Sequence, residues 1–190
     1  MVEALTNRQP FGNVSNSVDD NLGQIYYEID STNGGFKAYR YVKFIDAITY
    51  LVTHATCFDT VNLQEVTNDF SEPLASTPYA GHVAATNATE AALIIPGTSG
   101  EYGFVQCFGH RSTILAAAGV ALGDTIAIDN SAVNGQIISV VDTVSGTISA
   151  AEFNVGLLSV SVRRVGMAKT AISTSSGVGT VDAYLSGMFM

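Results

Sequence analysis

The stretch IYYEIDSTNGGFKAYRYVKF, residues 25–44, contains the signals from which the fold class is predicted. Residues 25–29 and 36–44 are rich in aromatic and branched side chains, which favour β-strands. Between them, Asn33 and Gly34 form a dipeptide that is typical of a tight hairpin turn. The stretch therefore predicts two antiparallel strands joined by a short loop.

The second of these strands alternates along its length. Tyr39 and Tyr41 point to one face, and Arg40, Val42 and Phe44 point to the other. Neither face is purely apolar. We therefore expect this strand to lie at a contact between subunits.

Strand signals recur along the rest of the chain, with turn signals about every ten residues. The dipeptide Asn134-Gly135 marks a second hairpin, and residues 60–78 are predicted to form a long loop or an edge excursion. Residues 112–123 contain good helix formers but are short for a stable helix, so their conformation stays open. Further strands are predicted at 48–53, 91–95, 102–109, 124–129, 136–141, 147–154, 157–165 and 178–185.

This pattern predicts an all-β fold, a single-domain sandwich or barrel of short antiparallel strands. A chain of 190 residues suits one domain with its own core. Residues 1–23 show little periodicity and are predicted to be an extended N-terminal arm, with the β domain at 24–190. The spaced apolar residues of the arm, such as Leu5 and Phe11, would dock on a neighbouring subunit, or the arm is a frayed terminus.

The composition limits the classes of partner. Charged residues make up only 13% of the chain, and the net charge is −9. Nucleic-acid binding is disfavoured, because it needs several Lys or Arg side chains near phosphates. No apolar run has the length of a membrane span or a signal peptide, so we expect neither, and we expect synthesis in a reducing cytoplasm. Low charge fits a surface covered by other subunits, although an uncharged soluble domain would look the same.

One constellation resembles a metal site. His54 and Cys57 are spaced H-x-x-C, and Cys107 and His110 are spaced C-x-x-H, which supplies the ligand types of a zinc site. On a strand, however, residues three apart project to opposite faces, so neither pair converges. No G-x-S-x-G motif occurs. We expect no catalytic, cofactor or metal site, and we expect the two cysteines to be separate buried thiols.

Two segments of the chain resemble bacteriophage head decoration (cement) proteins. The first is 39–44 followed by 46–50, and the second runs from Gly109 through the turn at Gly123-Asp124 to Ile128 and includes the later Val155-Gly156-Leu157. The resemblance implies a small, β-rich, trimeric protein without catalytic residues. It also implies a location on the outside of an icosahedral head, where such proteins clamp subunits of the major capsid protein.

The expected function is therefore that of a structural virion protein, made in the host cytoplasm, whose partners are the major capsid protein and, in a homotrimer, itself. The alternative is a carbohydrate-binding or host-attachment module that uses a cluster of aromatic residues around Tyr39 as a stacking platform. A hydrolase or metalloprotein is the least favoured reading. The candidate subunit contacts are Leu5, Phe11, Tyr39, Tyr41, Met188 and Phe189.

Overall fold

In the residues that it describes, the computed structural model has β-strands as its only regular secondary structure. The all-β prediction is therefore confirmed for this part of the chain. The described residues are 11, 15, 17–45, 50–51, 53–59, 64–70, 79–84, 93–95, 101–128, 135–140, 164–172 and 178–186.

Twelve strands lie within these residues. In chain order they are β1 (Ile25–Ile29), β2 (Phe36–Phe44), β3 (Tyr50–Leu51), β4 (Ala55–Phe58), β5 (Glu65–Thr67), β6 (Tyr79–Val83), β7 (Leu93–Ile95), β8 (Glu101–Ala116), β9 (Thr125–Ile128), β10 (Ile137–Ser139), β11 (Arg164–Ala168) and β12 (Gly179–Ser186).

Ten of these strands form one sheet, in which the pairing closes into two rings. The two rings resemble two small barrels that share strand β8. In the first ring, β2, β5, β4, β6 and β8 are paired in this order, and β8 pairs again with β2. In the second ring, β8, β10, β9, β11 and β12 follow one another, and β12 returns to β8. Strand β1 is added to the first ring beside β2, and β3 pairs with β7 in a separate sheet. Most pairings are antiparallel, and β2–β5 and β8–β10 are parallel.

The long strand β8 joins the two rings. Its first half pairs with β2 as far as Phe108, and its second half pairs with β12 from Phe108 onward. The change of partner occurs next to Gly109, whose φ is +91° and whose added Cβ would lie 2.4 Å from the carbonyl oxygen of Phe36. Only glycine combines this backbone angle with such a close approach.

Each ring encloses apolar side chains. Val42, Phe44 and Val105 belong to the core of the first ring, together with residues of β4, β5 and β6. The core of the second ring is continuous with the opposite face of β4, where Ala55 and Cys57 contact it. The alternation predicted for β2 is confirmed, because its even-numbered apolar residues face the ring.

Residues 11–23, within the predicted arm, lie against the outside of the first ring in the places where they are described. Ser15 and Tyr102 exchange two backbone hydrogen bonds of 2.9 and 2.8 Å. The ring of Phe11 stacks on Tyr39, with centroids 4.0 Å apart. Tyr41 is fully buried, and its hydroxyl accepts a hydrogen bond of 3.1 Å from the backbone N–H of Asp19. This part of the arm thus covers its own domain.

Candidate interaction surface

The hairpin of β1 and β2 exposes large apolar side chains. Tyr27 is 62% exposed, Ile29 83% and Phe36 44%. They share one face because Ile29 lies opposite Phe36, and Tyr27 is two residues before Ile29. Tyr27 meets Phe36 edge to face at 5.6 Å, and Phe36 stacks on Phe108 at 5.0 Å with an interplanar angle of 17°. The hairpin therefore presents a packed row of rings to solvent.

A second exposed group lies on β11 and β12. Met167 is 48% exposed and lies opposite Tyr184, which is 42% exposed. The ring of Tyr184 contacts His110 at 5.5 Å, and the ammonium group of Lys169 lies 5.4 Å from its centroid. A cation over an aromatic ring is attracted by its negative face. These contacts orient Tyr184 while leaving part of its ring open.

The two groups adjoin at β8 and at the hairpin turn. Phe108 and His110 are two residues apart on the strand, and Lys169 Nζ donates to Asn33 Oδ1 at 3.5 Å. We call the surface formed by both groups the aromatic face. It consists of Tyr27, Ile29, Phe36, Phe108, Met167 and Tyr184.

Charged groups border the aromatic face. Lys37 forms an ion pair with Asp30 at 3.4 Å. Hydrogen bonds from the turn to Asp30, above all from the backbone of Asn33, lower the pKa of this carboxyl to about 2. On the other side lies His110, whose pKa is lowered by burial first and then shifted in opposite directions by Lys169, which lowers it, and Asp182, which raises it. An apolar centre with a polar border of both signs is the usual anatomy of a protein contact surface.

The structure places the residues predicted to contact other subunits in different surroundings. Tyr39 is 7% exposed and Tyr41 is fully buried, and both pack with Phe104 in a cluster beneath Phe11. Burial raises the pKa of Tyr39, and its hydroxyl donates to Glu28 Oε2 at 2.9 Å. In this chain, therefore, Phe11 stacks on Tyr39, and Phe11 and Tyr41 both contact the ring of Phe104. Three further candidates lie outside the described residues: Leu5, Met188 and Phe189.

The four residues that resembled a zinc site have separate partners. The Nδ1 of His54 accepts a hydrogen bond from the Asn68 amide at 2.9 Å, and Cys57 lies 3.7 Å from the Thr67 carbonyl oxygen. Cys107 donates to the carbonyl oxygen of Ala38, and His110 packs on Tyr184. Both cysteines are free and buried, as predicted. Within the described ranges, no group of three or more metal-binding side chains comes together.

A polar cluster lies inside the protein around His82. Its Nδ1 shares a hydrogen bond of 2.6 Å with the Tyr79 hydroxyl. Arg111 donates to the carbonyl oxygen of Val83 at 2.7 Å and lies near Gln106 Oε1 at 3.5 Å. Burial, together with the positive charge of Arg111, places the pKa of His82 well below its ordinary value. His82 is therefore neutral at pH 7 and closed off from solvent.

Met167 and Tyr184 are not among the contact residues predicted from the sequence, although the sequence contains a signal for Tyr184. Val181, Ala183 and Leu185 alternate along a predicted strand and are all buried in the structure. This alternation places Tyr184 on the opposite, outward face. For Met167 no comparable signal exists, because it lies beyond the strand predicted at 157–165 and the register of β11 shifts between Arg164 and Gly166.

No protein-family model matches the chain, and no curated protein matches it. Within the described part of the chain, no helix is long and apolar enough to cross a bilayer.

Proposed function

We propose that this chain is a structural protein that decorates a bacteriophage head and stabilises it by bridging subunits of the major capsid protein. In this proposal the protein is made in the host cytoplasm and lies on the outside of the virion head. The aromatic face is its contact surface. The proposal gives the molecule no catalytic step.

The observation that carries the proposal is the exposure of Tyr27, Phe36 and Tyr184 on one connected surface. Single exposed apolar residues are common, but contiguous apolar patches with a polar border mark contact sites. Tyrosine, phenylalanine and methionine are also enriched at protein interfaces. A charged fraction of only 13% supports the same class of function, because interface centres are poor in charge.

Decoration has a clear thermodynamic basis. A protein that binds the assembled lattice but not the free subunits shifts the equilibrium toward the assembled shell. Each contact can be weak, because the symmetry of a shell repeats it many times. A surface of a few aromatic side chains is sufficient for this kind of binding.

The first test is the number of copies of this chain per particle, relative to the main shell protein, measured by quantitative mass spectrometry on purified particles from its source. A ratio near one, or a simple fraction of one, is expected for a lattice-wide decoration protein. A handful of copies would indicate a tail or vertex component instead. Absence from particles would overturn the proposal.

The second test examines the surface itself by sedimentation of purified protein with shells that lack it. Tyr184→Ala and Tyr27→Ala are expected to weaken binding by about 10- to 100-fold, the range of interface residues that dominate affinity. Leu122→Ala is the matched control, because Leu122 is 71% exposed in the turn between β8 and β9, outside the aromatic face. Equal binding by all three variants would exclude the aromatic face as the contact.

A second candidate function is carbohydrate binding, and the exposed rings of Tyr27 and Phe36 favour it. Tyr39 and Tyr41 are excluded from such a platform by their burial. Binding of soluble glycans that is lost in Tyr27→Ala but kept in Tyr39→Phe, with no binding to shells, would favour this function over decoration.

A further inference from the structure

Strand β1 is the outermost strand of the sheet in the described part of the chain. Its hydrogen bonds to β2 fix which of its backbone groups point outward. Tyr41 N donates to Gln24 O at 3.0 Å, and Asp30 N donates to Gly35 O at 3.1 Å. In an antiparallel pair the groups of alternate residues point to the same side, so every second residue from 24 to 30 is bonded to β2. Three residues therefore direct their N–H and C=O groups away from β2: Ile25, Tyr27 and Ile29.

This edge carries none of the usual protection against pairing. Natural edge strands are commonly blocked by lysine, proline, a bulge or an inward-pointing charge. The residues that point their backbone outward are Ile25, Tyr27 and Ile29, and the last two are mostly exposed. The one charged residue of the strand, Glu28, accepts a hydrogen bond from the Tyr39 hydroxyl. Within the described residues the edge is apolar and no other strand pairs with it, and the exposed side chain of Gln24 donates from Nε2 to the carbonyl oxygen of Ile25 at 3.4 Å.

We propose that β1 pairs with β1 of a second copy of this chain, antiparallel about a two-fold axis that passes beside Tyr27. Tyr27 then lies opposite the partner's Tyr27, and Ile25 lies opposite the partner's Ile29. All three outward-pointing residues of each strand form hydrogen bonds, so six new backbone hydrogen bonds form. The inference does not depend on the proposed function.

A second copy fits this edge because the strand is self-complementary. The backbone groups that point outward belong to Tyr27 and to one residue on either side of it, Ile25 and Ile29. A two-fold axis beside Tyr27 therefore places each N–H group opposite a C=O group of the second copy. The pairing also places apolar side chains opposite one another, which stabilises antiparallel strands. On the other face, Glu28 lies opposite the partner's Tyr26, so no like charges are directly opposed. A two-fold interface of this kind is closed and stops at a dimer.

The pairing has a consequence for the aromatic face. Tyr27 and Ile29 belong to both the face and the paired strand, so two aromatic faces become neighbours on one continuous sheet. Their side chains stand on one side of the sheet, while the new hydrogen bonds lie in its plane. A dimer therefore presents two contact surfaces at a fixed spacing.

Cross-linking tests the register. In a hydrogen-bonded antiparallel pair the Cα atoms lie about 5.5 Å apart, within the range of about 4.4–6.8 Å that a disulfide spans. Tyr27→Cys is therefore expected to form a covalent dimer under mild oxidation. Glu28→Cys is the control, because its opposite residue is the partner's Tyr26 and it should stay uncross-linked. The native cysteines are buried and do not compete. Equal cross-linking of both variants, or of neither, would overturn this register.

The mass in solution tests the assembly. Sedimentation equilibrium of the full chain is expected to give twice 19.9 kDa at high concentration. Because each copy has a net charge of −9, the dimer fraction should rise with salt, which screens the repulsion. Tyr27→Pro removes an outward N–H without breaking a bond to β2, and it should give a monomer with an unchanged circular dichroism spectrum. A wild-type monomer, a trimer, or a dimer that survives Tyr27→Pro would each refute the proposal.

Discussion

Acid is expected to destabilise this protein well above the pH at which its carboxylates titrate, because two of its histidines are buried in the neutral form. Burial lowers the pKa of His54 to about 4. Burial and the nearby charge of Arg111 lower the pKa of His82 well below its ordinary value. In the unfolded chain both imidazoles titrate near their ordinary value of about 6.5. Between these values the unfolded state binds protons that the folded state does not.

The sign and size follow from this difference. Stability rises with pH wherever the unfolded state binds more protons, so it is lost as pH falls from about 6.5 toward 4. For His54 alone, the free energy of unfolding should fall by about 2 kcal/mol between pH 7 and pH 5, and by about 3 kcal/mol at pH 4. His82 acts in the same direction. Near pH 5.5 each of the two adds a slope of about 1.2 kcal/mol per pH unit.

The assay is urea unfolding, followed by circular dichroism at several pH values between 5 and 7, since the chain has no tryptophan. His54→Gln removes one titrating group and should halve the slope of stability against pH, whatever it does to the stability at pH 7. His110→Gln is the matched control. His110 is only partly buried, and although burial lowers its pKa as well, the charges around it act in both directions. A slope below about 0.5 kcal/mol per pH unit in the wild type would mean that water reaches both rings, and it would refute the reasoning.

Three other substitutions test local features of the fold, each by urea unfolding. Thr113→Gly should stabilise the protein by about 1 kcal/mol, because Thr113 has a φ of +56°, where a branched residue is strained; Ser112→Gly should instead cost about 0.5–1 kcal/mol. Gly109→Ala should cost about 2–4 kcal/mol, because its Cβ would meet the Phe36 carbonyl oxygen at 2.4 Å. Asp30→Ala should cost about 1–2 kcal/mol, because it removes the acceptor of two backbone N–H groups in the β1–β2 turn. Since the pKa of Asp30 is lowered to about 2, wild-type protein should lose that contribution only as pH falls below about 4.

The local features of the fold were predictable from sequence. The predicted hairpins of β1 with β2 and of β9 with β10 are confirmed. They were predictable because alternation and turn residues are both local signals. Gly34 has the positive φ that such a turn requires. Strand β12 is also confirmed, within one residue at each end.

Features that depend on distant partners were not predictable. Residues 112–116 contain helix formers, yet they continue β8 because β12 pairs along them. The loop predicted at 60–78 contains β5, a strand of three residues that β2 and β4 hold between them. Closure into rings left no mark on the alternation, since a strand in a sandwich has the same pattern as a strand in a ring. The predicted strand at 147–154 lies outside the described residues.

For the aromatic face, too, the local pattern of the sequence was informative and the contacts between distant residues were not predictable. The alternation of β2 correctly placed Tyr39 and Tyr41 on one face, but it could not show what covers that face. Phe11 and Leu22 pack against it, from a segment without periodicity. The rings left exposed are instead those of Tyr27 and Phe36.

The size of the aromatic face also bears on how it would act. Six side chains are far fewer than the roughly 20–30 residues that each partner contributes to a standard stable interface. One copy bound through this face alone would therefore dissociate readily from any partner. If β1 pairs with its symmetry mate, two faces are held on one sheet, and the second contact becomes intramolecular once the first has formed. Binding would then depend on a partner that repeats at the spacing of the two faces. Isolated partner subunits would bind weakly and an ordered array strongly, which is the selectivity that stabilises a lattice without trapping its free components.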